Sequence, residues 1–249
     1  MTSVALIFVK NRVLVFTPTY NEIGNIEKWL DEVASYSSAD ILVVDDSSSD
    51  GTNELLASKS REMKHLELIT RSAKSGIGSA HLLALKMALE NGYDYLITLD
   101  ADLSHDPKDI PRFIEAGKSS NYVVGTRSRG GRTELSGFRL ILSKGANLVC
   151  QIILPTGLSE YTTAYRCYDR SAMKSLICRS PKDEGYSYFI EVTELLYRSG
   201  LKLSEIPIIF HDRMEGESKI PSLQVFRSTM KIMKLTFSRI RWRLLGDKQ

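Results

Sequence analysis

Short apolar runs, several ending in a polar motif, are the feature that most constrains how this 249-residue chain can fold. The five runs are Val13–Phe16, Ile41–Val44, Leu66–Ile69, Tyr95–Leu99 and Tyr122–Val124. Such runs are typical of strands buried on both faces. Helical patterns lie between them, such as the apolar face formed by Ile26, Trp29, Leu30 and Val33. This alternation predicts an α/β fold, with helices on both faces of a mostly parallel sheet.

Polar motifs stand at the carboxyl ends of three of these strands. They are Thr17-Pro18-Thr19-Tyr20-Asn21-Glu22, Asp45-Asp46 and Asp100-Ala101-Asp102. Ligands of open parallel sheets bind in a crevice beyond the carboxyl ends of the strands. We therefore expect the three motifs to converge on one crevice.

Charge is distributed unevenly along the chain. The formal net charge of +3 is too small to indicate nucleic-acid binding, and no nucleic-acid partner is expected. The last 28 residues, 222–249, carry seven cations and one anion, so that residues 1–221 sum to −3. Such asymmetry favours an anionic surface as the partner of the tail.

Cysteine usage and the amino-terminal sequence indicate a cytoplasmic location. The three cysteines, Cys150, Cys167 and Cys178, form no CxxC pair and read as reduced thiols. The apolar run Val4–Val9 is too short to span a membrane, and no cleavage site follows it. We expect neither a signal peptide nor a transmembrane helix.

The Asp100–Asp102 triplet has two interpretations. Two carboxylates at a strand end can bind Mg²⁺ or Mn²⁺, ions that prefer carboxylate, phosphate and water oxygens. Ser104 and His105 are then nearby outer-shell groups. Alternatively, the triplet is a solvated turn that caps the helix beginning at Asp106-Pro107. Asp45-Asp46 at a neighbouring strand end favours the metal site.

Two further motifs carry weaker signals. Asp45 can accept hydrogen bonds from a ribose or a base edge, or the Asp45–Thr52 segment can be a turn that caps a helix. Gly76 and Gly78 lack the spacing of a dinucleotide fingerprint. They favour a close backbone approach to a ligand and a plain helix-entry turn equally.

Several downstream cations can bind phosphate, which arginine contacts in a bidentate manner and lysine as a point charge. They are Arg127, Arg129, Arg132, Arg139, Lys144, Arg166, Arg213 and Lys219. Spacing alone does not choose among them.

The ordered set of motifs resembles the dolichol-phosphate mannosyltransferases of glycosyltransferase family 2, which have the GT-A fold. It consists of Pro18-Thr19-Tyr20-Asn21-Glu22, Asp45-Asp46 with Asp50-Gly51-Thr52, Asp100-Ala101-Asp102-Leu103-Ser104-His105, Gly125-Thr126-Arg127, and Asp212-Arg213 with Gly216-Glu217-Ser218-Lys219. The resemblance runs in order from about Val13 to Lys219. It implies a GT-A (Rossmann-like) catalytic domain over residues 1–221, followed by a tail over residues 222–249.

The resemblance also implies roles for individual residues. The nucleotide sugar, GDP-mannose by preference, would be held by Pro18, Tyr20, Glu22, Val43, Asp45, Asp100, Ala101, Asp102, Arg213 and Lys219. Asp100 and Asp102 would hold Mg²⁺ or Mn²⁺ on the donor diphosphate. The acceptor, a polyprenyl phosphate, would face Arg127, Arg139 and Ser143. The family inverts the anomeric centre in one displacement and makes a β-linked lipid phosphosugar.

A phosphate nucleophile needs no strong general base, because its second pKa of about 6 leaves it largely dianionic near neutrality. Asp102 and Arg127 are then the expected catalytic residues. A second hypothesis is transfer to a glycan or lipid hydroxyl, for which Glu160 is the candidate base. A third is a catalytically silent subunit that binds nucleotide sugar, against which the intact Asp100 and Asp102 argue.

The chain departs from the family pattern at several positions. Ser47 stands where the family usually has Gly or Asn, Glu160 replaces an aspartate, and Ala164 replaces a glycine. The last two lie beside the expected sugar and acceptor region.

The tail reads as an amphipathic helix. Its apolar stripe consists of Phe226, Met230, Met233, Phe237, Ile240 and Leu244, with cations along the flank. Such a helix binds in a membrane interface that contains anionic lipid, or packs on the catalytic domain or on a partner. We expect a peripheral enzyme on the cytoplasmic face of a membrane, docked on the membrane surface or on an integral membrane partner.

Overall fold

The computed structural model describes residues 11–183, 185 and 187–212, apart from the side chains of Phe138 and Arg139. The strands in that range are β1 Val13–Thr19, β2 Asp40–Asp45, β3 Leu66–Thr70, β4 Tyr95–Thr98, β5 Tyr122–Thr126, β6 Arg132–Thr133, β7 Arg166–Asp169, β8 Leu203–Pro207 and β9 Ile209–Phe210. The helices are α1 Ile26–Tyr36, α2 Thr52–Glu62, α3 Ile77–Glu90, α4 Ile110–Gly117, α5 Gly137–Ile153, α6 Arg170–Arg179 and α7 Tyr188–Arg198.

Seven of the described strands form one sheet in the order β3-β2-β1-β4-β7-β5-β8. All neighbours are parallel except β7, which lies antiparallel between β4 and β5. A smaller parallel pair joins β6 to β9. The predicted α/β fold with a mostly parallel sheet is confirmed, and the five predicted strands are β1 to β5.

Hydrophobic clusters cover both faces of the sheet. Alternate residues of β1 divide between them, because successive strand side chains point to opposite faces. Val13 and Val15 pack with α1, α2 and α4, whereas Leu14 and Phe16 pack with α3, α5, α6 and α7. The predicted helical face of α1 is wholly buried. The prediction of helices on both faces is therefore confirmed.

The two glycines before and in α3 have structural roles. Gly76 adopts a φ of 86°, in the positive region that favours glycine. At Gly78, a Cβ would lie 2.0 Å from the backbone oxygen of Asp183. Gly78 therefore allows α3 to pack closely against the 183 segment, and Gly76 provides the helix-entry turn.

His81 is a buried histidine in α3, and its lowered pKa predicts that the folded protein loses stability in acid. Its ring lies 5.0 Å from that of Phe16 and 5.3 Å from that of Tyr188, and no described residue hydrogen-bonds its Nε2 atom. Burial, reinforced by the nearby Arg166 cation, lowers the pKa of His81 from 6.5 to about 3. His81 is therefore neutral in the folded protein at pH 5, whereas the unfolded chain is protonated there.

The pKa of His81 is lower in the folded state, so its contribution to stability is full above pH 6.5 and falls as the pH drops below that value. Between pH 7 and pH 5 this one group should lower the free energy of unfolding by about 2 kcal/mol. We expect His81→Phe to remove that share, measured as the difference between urea denaturation at the two pH values. The control His65→Gln changes an exposed histidine. Equal pH dependence in His81→Phe and the wild type would contradict the prediction.

Candidate active site

The carboxyl ends of β2, β1 and β4 lie side by side. Thr19 at the end of β1 pairs with Asp45 at the end of β2, and Phe16 pairs with Thr98 at the end of β4. Asp100 follows β4 directly after Leu99. The three polar motifs therefore lie along one edge of the sheet, as expected from the parallel topology.

Asp100 and Asp102 differ in their surroundings. The side chain of Asp100 is 33% exposed, whereas Asp102 is buried. Oδ1 of Asp102 accepts hydrogen bonds from the backbone N–H of Ser104 at 3.1 Å and from its hydroxyl at 2.6 Å. The helical turn after the motif is instead capped by Asp106, whose Oδ1 accepts the N–H of Lys108 at 2.9 Å. Neither aspartate of the triplet is needed as that cap, so the capping interpretation loses its basis.

His105 supports the backbone of the Asp100–Asp102 motif. Its Nδ1 accepts the backbone N–H of Asp100 at 3.3 Å, and its Nε2 lies 2.9 Å from the hydroxyl of Thr163. Burial lowers the pKa of His105 to about 3, so the ring is neutral. The 3.5 Å approach of Nδ1 to Oδ2 of Asp100 is therefore a contact and not an ion pair. The neutral ring, with its proton on Nε2, fixes the backbone of Asp100 through the hydrogen bond that Nδ1 accepts.

Asp45 is wholly buried and organises the loop that follows β2. Its Oδ1 accepts the hydroxyls of Thr19 at 3.0 Å and Ser48 at 2.5 Å. Its Oδ2 accepts the N–H of Ser48 at 3.0 Å and the amide of Asn53 at 3.2 Å. Ser47, at the position where the family usually has Gly or Asn, has a φ of 62°, a left-handed conformation that those residues adopt at less cost.

Four more of the residues predicted to bind the nucleotide lie along the same edge, namely Pro18, Tyr20, Glu22 and Val43. Pro18 and Tyr20 are half-buried, and the ring of Tyr20 lies 4.1 Å from Nζ of Lys74. Oε2 of Glu22 accepts the side-chain amide of Asn25 at 3.0 Å. The side chain of Val43 lies in the core, so a ligand could meet only its backbone.

Arg71 was missed by the sequence motifs, although it joins the β2 loop to α3. Its guanidinium pairs with Asp46 and donates to the hydroxyl of Ser79 at 2.6 Å and to the backbone oxygen of Gly76 at 3.3 Å. The arrangement fixes the second aspartate of the pair and sets the entry to α3.

Arg127 and Glu160 form a buried, two-pronged ion pair. Nε of Arg127 donates to Oε2 and Nη2 donates to Oε1, each at 2.8 Å. Oε1 also accepts the amide of Asn147 at 2.8 Å, the N–H of Thr162 at 2.9 Å and its hydroxyl at 2.8 Å. Burial raises the pKa of Glu160, but the Arg127 charge and these hydrogen bonds outweigh it, so the net shift is downward. Glu160 is an ionised anchor for Arg127.

A cavity of about 140 Å³ opens beside this ion pair. Its lining includes Arg127, Glu160 and, from α5, Ser143, Lys144 and Asn147. Within the described part of the chain, no residue hydrogen-bonds to Nη1 of Arg127 or to the side chains of Ser143 and Lys144. The structure thus brings together Arg127 and Ser143, two residues implied for the acceptor phosphate, and adds Lys144.

Arg166 has a structural role. It is wholly buried and donates to the backbone oxygens of Thr163 at 2.7 Å, Tyr161 at 2.7 Å and Phe189 at 3.1 Å. Burial lowers its pKa to about 10, which leaves it charged at neutral pH. Its donors fix the loop that carries Glu160 and Thr163 and leave it unsuited to bind a ligand.

Several expected site residues lie outside the part of the chain that the structure describes. They are Arg213, Lys219, the side chain of Arg139, and the tail with its boundary near residue 221. Among the described residues, no helix has both the length and the apolar character needed to cross a bilayer.

Comparison with known proteins identifies the family. The model of the family "Glycosyl transferase family 2" matches residues 14–177. The chain belongs to glycosyltransferase family 2. The resemblance noted from the sequence is thereby confirmed, and the chain is classed as an enzyme of the glycosyltransferase type.

Two curated relatives match over most of both chains. The undecaprenyl-phosphate mannosyltransferase of Micrococcus luteus is 33% identical over 212 residues, which cover 84% of this chain and 87% of the relative. The polyprenol monophosphomannose synthase of Mycolicibacterium smegmatis is 32% identical over 228 residues, which cover 89% of this chain and 85% of the relative.

Solved structures share the fold. A mycobacterial protein aligns with a TM-score of 0.68 at 16% identity, covering 92% of this chain and 74% of that one. The mannosyltransferase PcManGT of Pyrobaculum calidifontis, solved with GDP-Man and Mn²⁺, aligns with a TM-score of 0.57 at 18% identity. That alignment covers 94% of this chain but 65% of PcManGT. At these identities the likeness shows the fold alone, and the predicted GT-A fold is confirmed.

Proposed function

We propose that this enzyme transfers a hexose, mannose from GDP-mannose by preference, to a polyprenyl phosphate with inversion of the anomeric centre. An oxygen of the lipid phosphate attacks C1 of the sugar while the bond from C1 to the nucleoside diphosphate breaks. The α-linked donor then gives a β-linked lipid phosphosugar and a free nucleoside diphosphate. The names of the two curated relatives support a polyprenyl phosphate acceptor and mannose.

The observation that carries the proposal is the cavity at Arg127. A phosphate bound there would meet the guanidinium of Arg127, Ser143 and the exposed Lys144. Because Glu160 offsets the charge of Arg127, Lys144 supplies the net positive charge among these groups. This is the chemistry of a phosphate site, in which a guanidinium orients the anion and a lysine attracts it.

On the donor side, the Asp100–Asp102 motif fits Mg²⁺ or Mn²⁺. Two carboxylates supply hard oxygen ligands, and Asp100 reaches solvent at the sheet edge. Among the described residues, no group of three or more His, Cys, Asp or Glu side chains could enclose an ion. The substrate diphosphate and water would complete the coordination, and the ion would stabilise the charge of the departing diphosphate. The Mn²⁺ in PcManGT supports this assignment.

The neighbouring loops would hold the nucleotide. Tyr20 offers a half-buried ring and Glu22 a carboxylate at the end of β1. Asp45 would act through the loop whose shape it sets, because its four hydrogen bonds occupy both carboxylate oxygens. Arg213 and Lys219 remain candidates for the donor phosphates on the resemblance alone.

The geometry of Glu160 disfavours transfer to a hydroxyl. A general base needs a free lone pair near the proton that it removes and a pKa near the working pH. Glu160 has a lowered pKa, and both of its oxygens accept hydrogen bonds. A lipid phosphate needs no such base, so the phosphate acceptor suits this site better.

An apolar face of α5 supports a membrane surface as the partner. Ile141, Leu148, Val149 and Ile152 are exposed, the first and last by 67% and 77%. Their spacing of seven, one and three residues places them on one side of the helix. Lys144, which lines the phosphate cavity, stands on the same helix. Docking of this face in a bilayer interface would bring the cavity to the lipid phosphate.

We expect the double variant Leu148→Ser/Ile152→Ser to bind liposomes of anionic lipid at least about tenfold more weakly. Each side chain can bury enough apolar area in the interface to contribute about 1 kcal/mol. Sedimentation with liposomes measures the binding, and the unfolding temperature should not change because both side chains are exposed. Tyr36→Ser, which alters an exposed aromatic residue on α1, is the control. Undiminished sedimentation of the double variant would show that this face does not dock.

A donor panel tests the nucleotide and sugar. GDP-mannose, UDP-glucose and UDP-N-acetylglucosamine are each incubated with the enzyme, Mn²⁺ and a short polyprenyl phosphate, and lipid-linked sugar is counted. We expect GDP-mannose to give the most product. Hydrolysis of every donor without lipid-linked sugar would count against the proposal and would favour another acceptor. No turnover of any donor would favour the silent subunit.

A further inference from the structure

A small three-segment sheet joins the two halves of the site. One half is the metal motif, residues 100–105, and the other is the acceptor side around Arg127. The central segment of the sheet is β9, whose Phe210 lies between the 104–105 segment of the metal motif and the 132–134 segment before α5. The N–H of His211 donates to the backbone oxygen of Ser104 at 3.0 Å, and Phe210 bridges to His105 in antiparallel fashion. On the other side, the N–H of Glu134 donates to the backbone oxygen of Phe210 at 2.9 Å.

The ring of Phe210 touches one functional group of each half. Its centroid lies 5.1 Å from that of His105, at an interplanar angle of 80°. The guanidinium carbon of Arg127 lies 5.2 Å from the same ring. An edge-to-face pair and a cation–π contact both have preferred distances, so they hold their partners at a set separation. His105 in turn fixes Asp100 through the hydrogen bond from the Asp100 N–H.

Glu134 fastens the carboxyl end of this segment. Its Oε2 accepts the N–H of Asp212 at 3.0 Å, and its Oε1 lies 3.2 Å from Nδ1 of His211. Both contacts are side-chain contacts to backbone or ring atoms of the two residues that follow Phe210. The carboxylate thus links the two residues that follow β9 to the 132–134 segment.

We propose that Phe210 and Glu134 are positioning residues that set the distance between the metal motif and Arg127. Phe210 is the spacer between His105 and Arg127, and Glu134 is the clamp that keeps the spacer in place. The inference rests on the proposed function, because it assigns the donor to Asp100 and Asp102 and the acceptor phosphate to Arg127. Neither residue needs to touch a substrate. Both act on the alignment of the donor with the acceptor phosphate.

The ratio of sugar transfer to donor hydrolysis tests this role, because water needs no positioning by Arg127. Phe210→Ala and Glu134→Ala should lower transfer to polyprenyl phosphate by about ten- to a hundredfold, as expected for a misplacement of about 1 Å. Hydrolysis of the donor should change less than about threefold. Phe210→Tyr keeps the ring and should stay close to the wild type. The control Glu115→Ala removes an exposed carboxylate paired with Lys118 on α4 and should leave the ratio unchanged.

Hydrogen exchange tests whether Glu134 and Phe210 hold the metal motif in place, and it needs no acceptor substrate. In Glu134→Ala and Phe210→Ala, peptides that cover residues 100–106 should exchange faster than in the wild type and in Glu115→Ala. Unchanged exchange there, or equal losses of transfer and hydrolysis, would overturn the inference. Absence of lipid-linked product in the wild type would refute the proposed function instead, and exchange would still decide whether the clamp exists.

Discussion

Asp102→Asn should lower the rate of sugar transfer by about 10³-fold at saturating Mn²⁺. A metal ion on the leaving diphosphate stabilises the transition state by several kcal/mol, and each 1.4 kcal/mol is about tenfold in rate. Asn is isosteric with Asp, and its side-chain oxygen can still accept the two hydrogen bonds that Ser104 donates to Asp102. The fold should therefore persist, while the negative charge that Asp102 offers to the ion is lost.

Two measurements accompany this variant. Mn²⁺ affinity in the presence of the nucleoside diphosphate, measured by titration calorimetry, should fall together with the rate. Ser104→Ala is the matched control, because it removes one hydrogen bond to Asp102 but keeps the carboxylate, and we expect a loss of less than about tenfold. A fully active Asp102→Asn, or one that loses rate without losing Mn²⁺ affinity, would contradict the metal role of the motif.

Breaking the Arg127–Glu160 pair should be the second large effect. Glu160 is 1% exposed, and Arg127→Ala would leave its charge buried without a cation. Removing one partner of such a pair typically costs about 3–5 kcal/mol. We expect a loss of this size in the free energy of unfolding, measured with urea, and a large loss of transfer because the acceptor phosphate also loses its guanidinium.

Further variants separate stability from binding. Arg127→Ala/Glu160→Ala removes both charges, so it should recover part of the lost stability but none of the transfer. Arg129→Ala is the control, because the Arg129 side chain is 61% exposed and its Nη1 lies 3.2 Å from Oε1 of Glu205. Exposed pairs of this kind contribute less than about 1 kcal/mol. If Arg127→Ala and Arg129→Ala were equally stable, the buried pair would not have the importance assigned here.

Acidification should also weaken this pair. The pKa of Glu160 is below its usual value of 4.5, so the stability it provides is present above that pH and is lost as the pH falls through the lowered pKa. The contribution of His81 is lost in a different window, between pH 6.5 and about 3. The two effects can thus be distinguished by the pH at which stability begins to fall.

The sequence predicted the sheet edge well because parallel strands leave a strong signal. Runs such as Ile41–Val44 are apolar throughout, and a polar motif directly after such a run has to lie at the carboxyl edge. Strand β7 was not predicted, because it begins with Arg166, a charged residue that interrupts the apolar pattern. Only the fold explains a buried arginine there, since one of its partners, the backbone oxygen of Phe189, belongs to a residue 23 positions away.

The side-chain partners of the site could not be predicted in the same way. Arg127 and Glu160 are 33 residues apart, and no local pattern indicates that they pair. The structure therefore changes the interpretation of Glu160 from a candidate base to an anchor. Lys144 was one of eight downstream cations considered as phosphate-binding candidates, and only the packing of α5 beside Arg127 brings it to the cavity. Phe210 belongs to none of the sequence motifs.

Product analysis tests the central claim most directly. The wild-type enzyme is incubated with GDP-mannose, Mn²⁺ and equal amounts of a short polyprenyl phosphate and the corresponding polyprenol, and the lipids are examined by mass spectrometry and NMR. We predict that the polyprenyl phosphate alone gains one hexose, joined through its phosphate as the β anomer. A hexose on the polyprenol, an α-linked phosphosugar, or consumption of GDP-mannose without a lipid product would contradict the proposal.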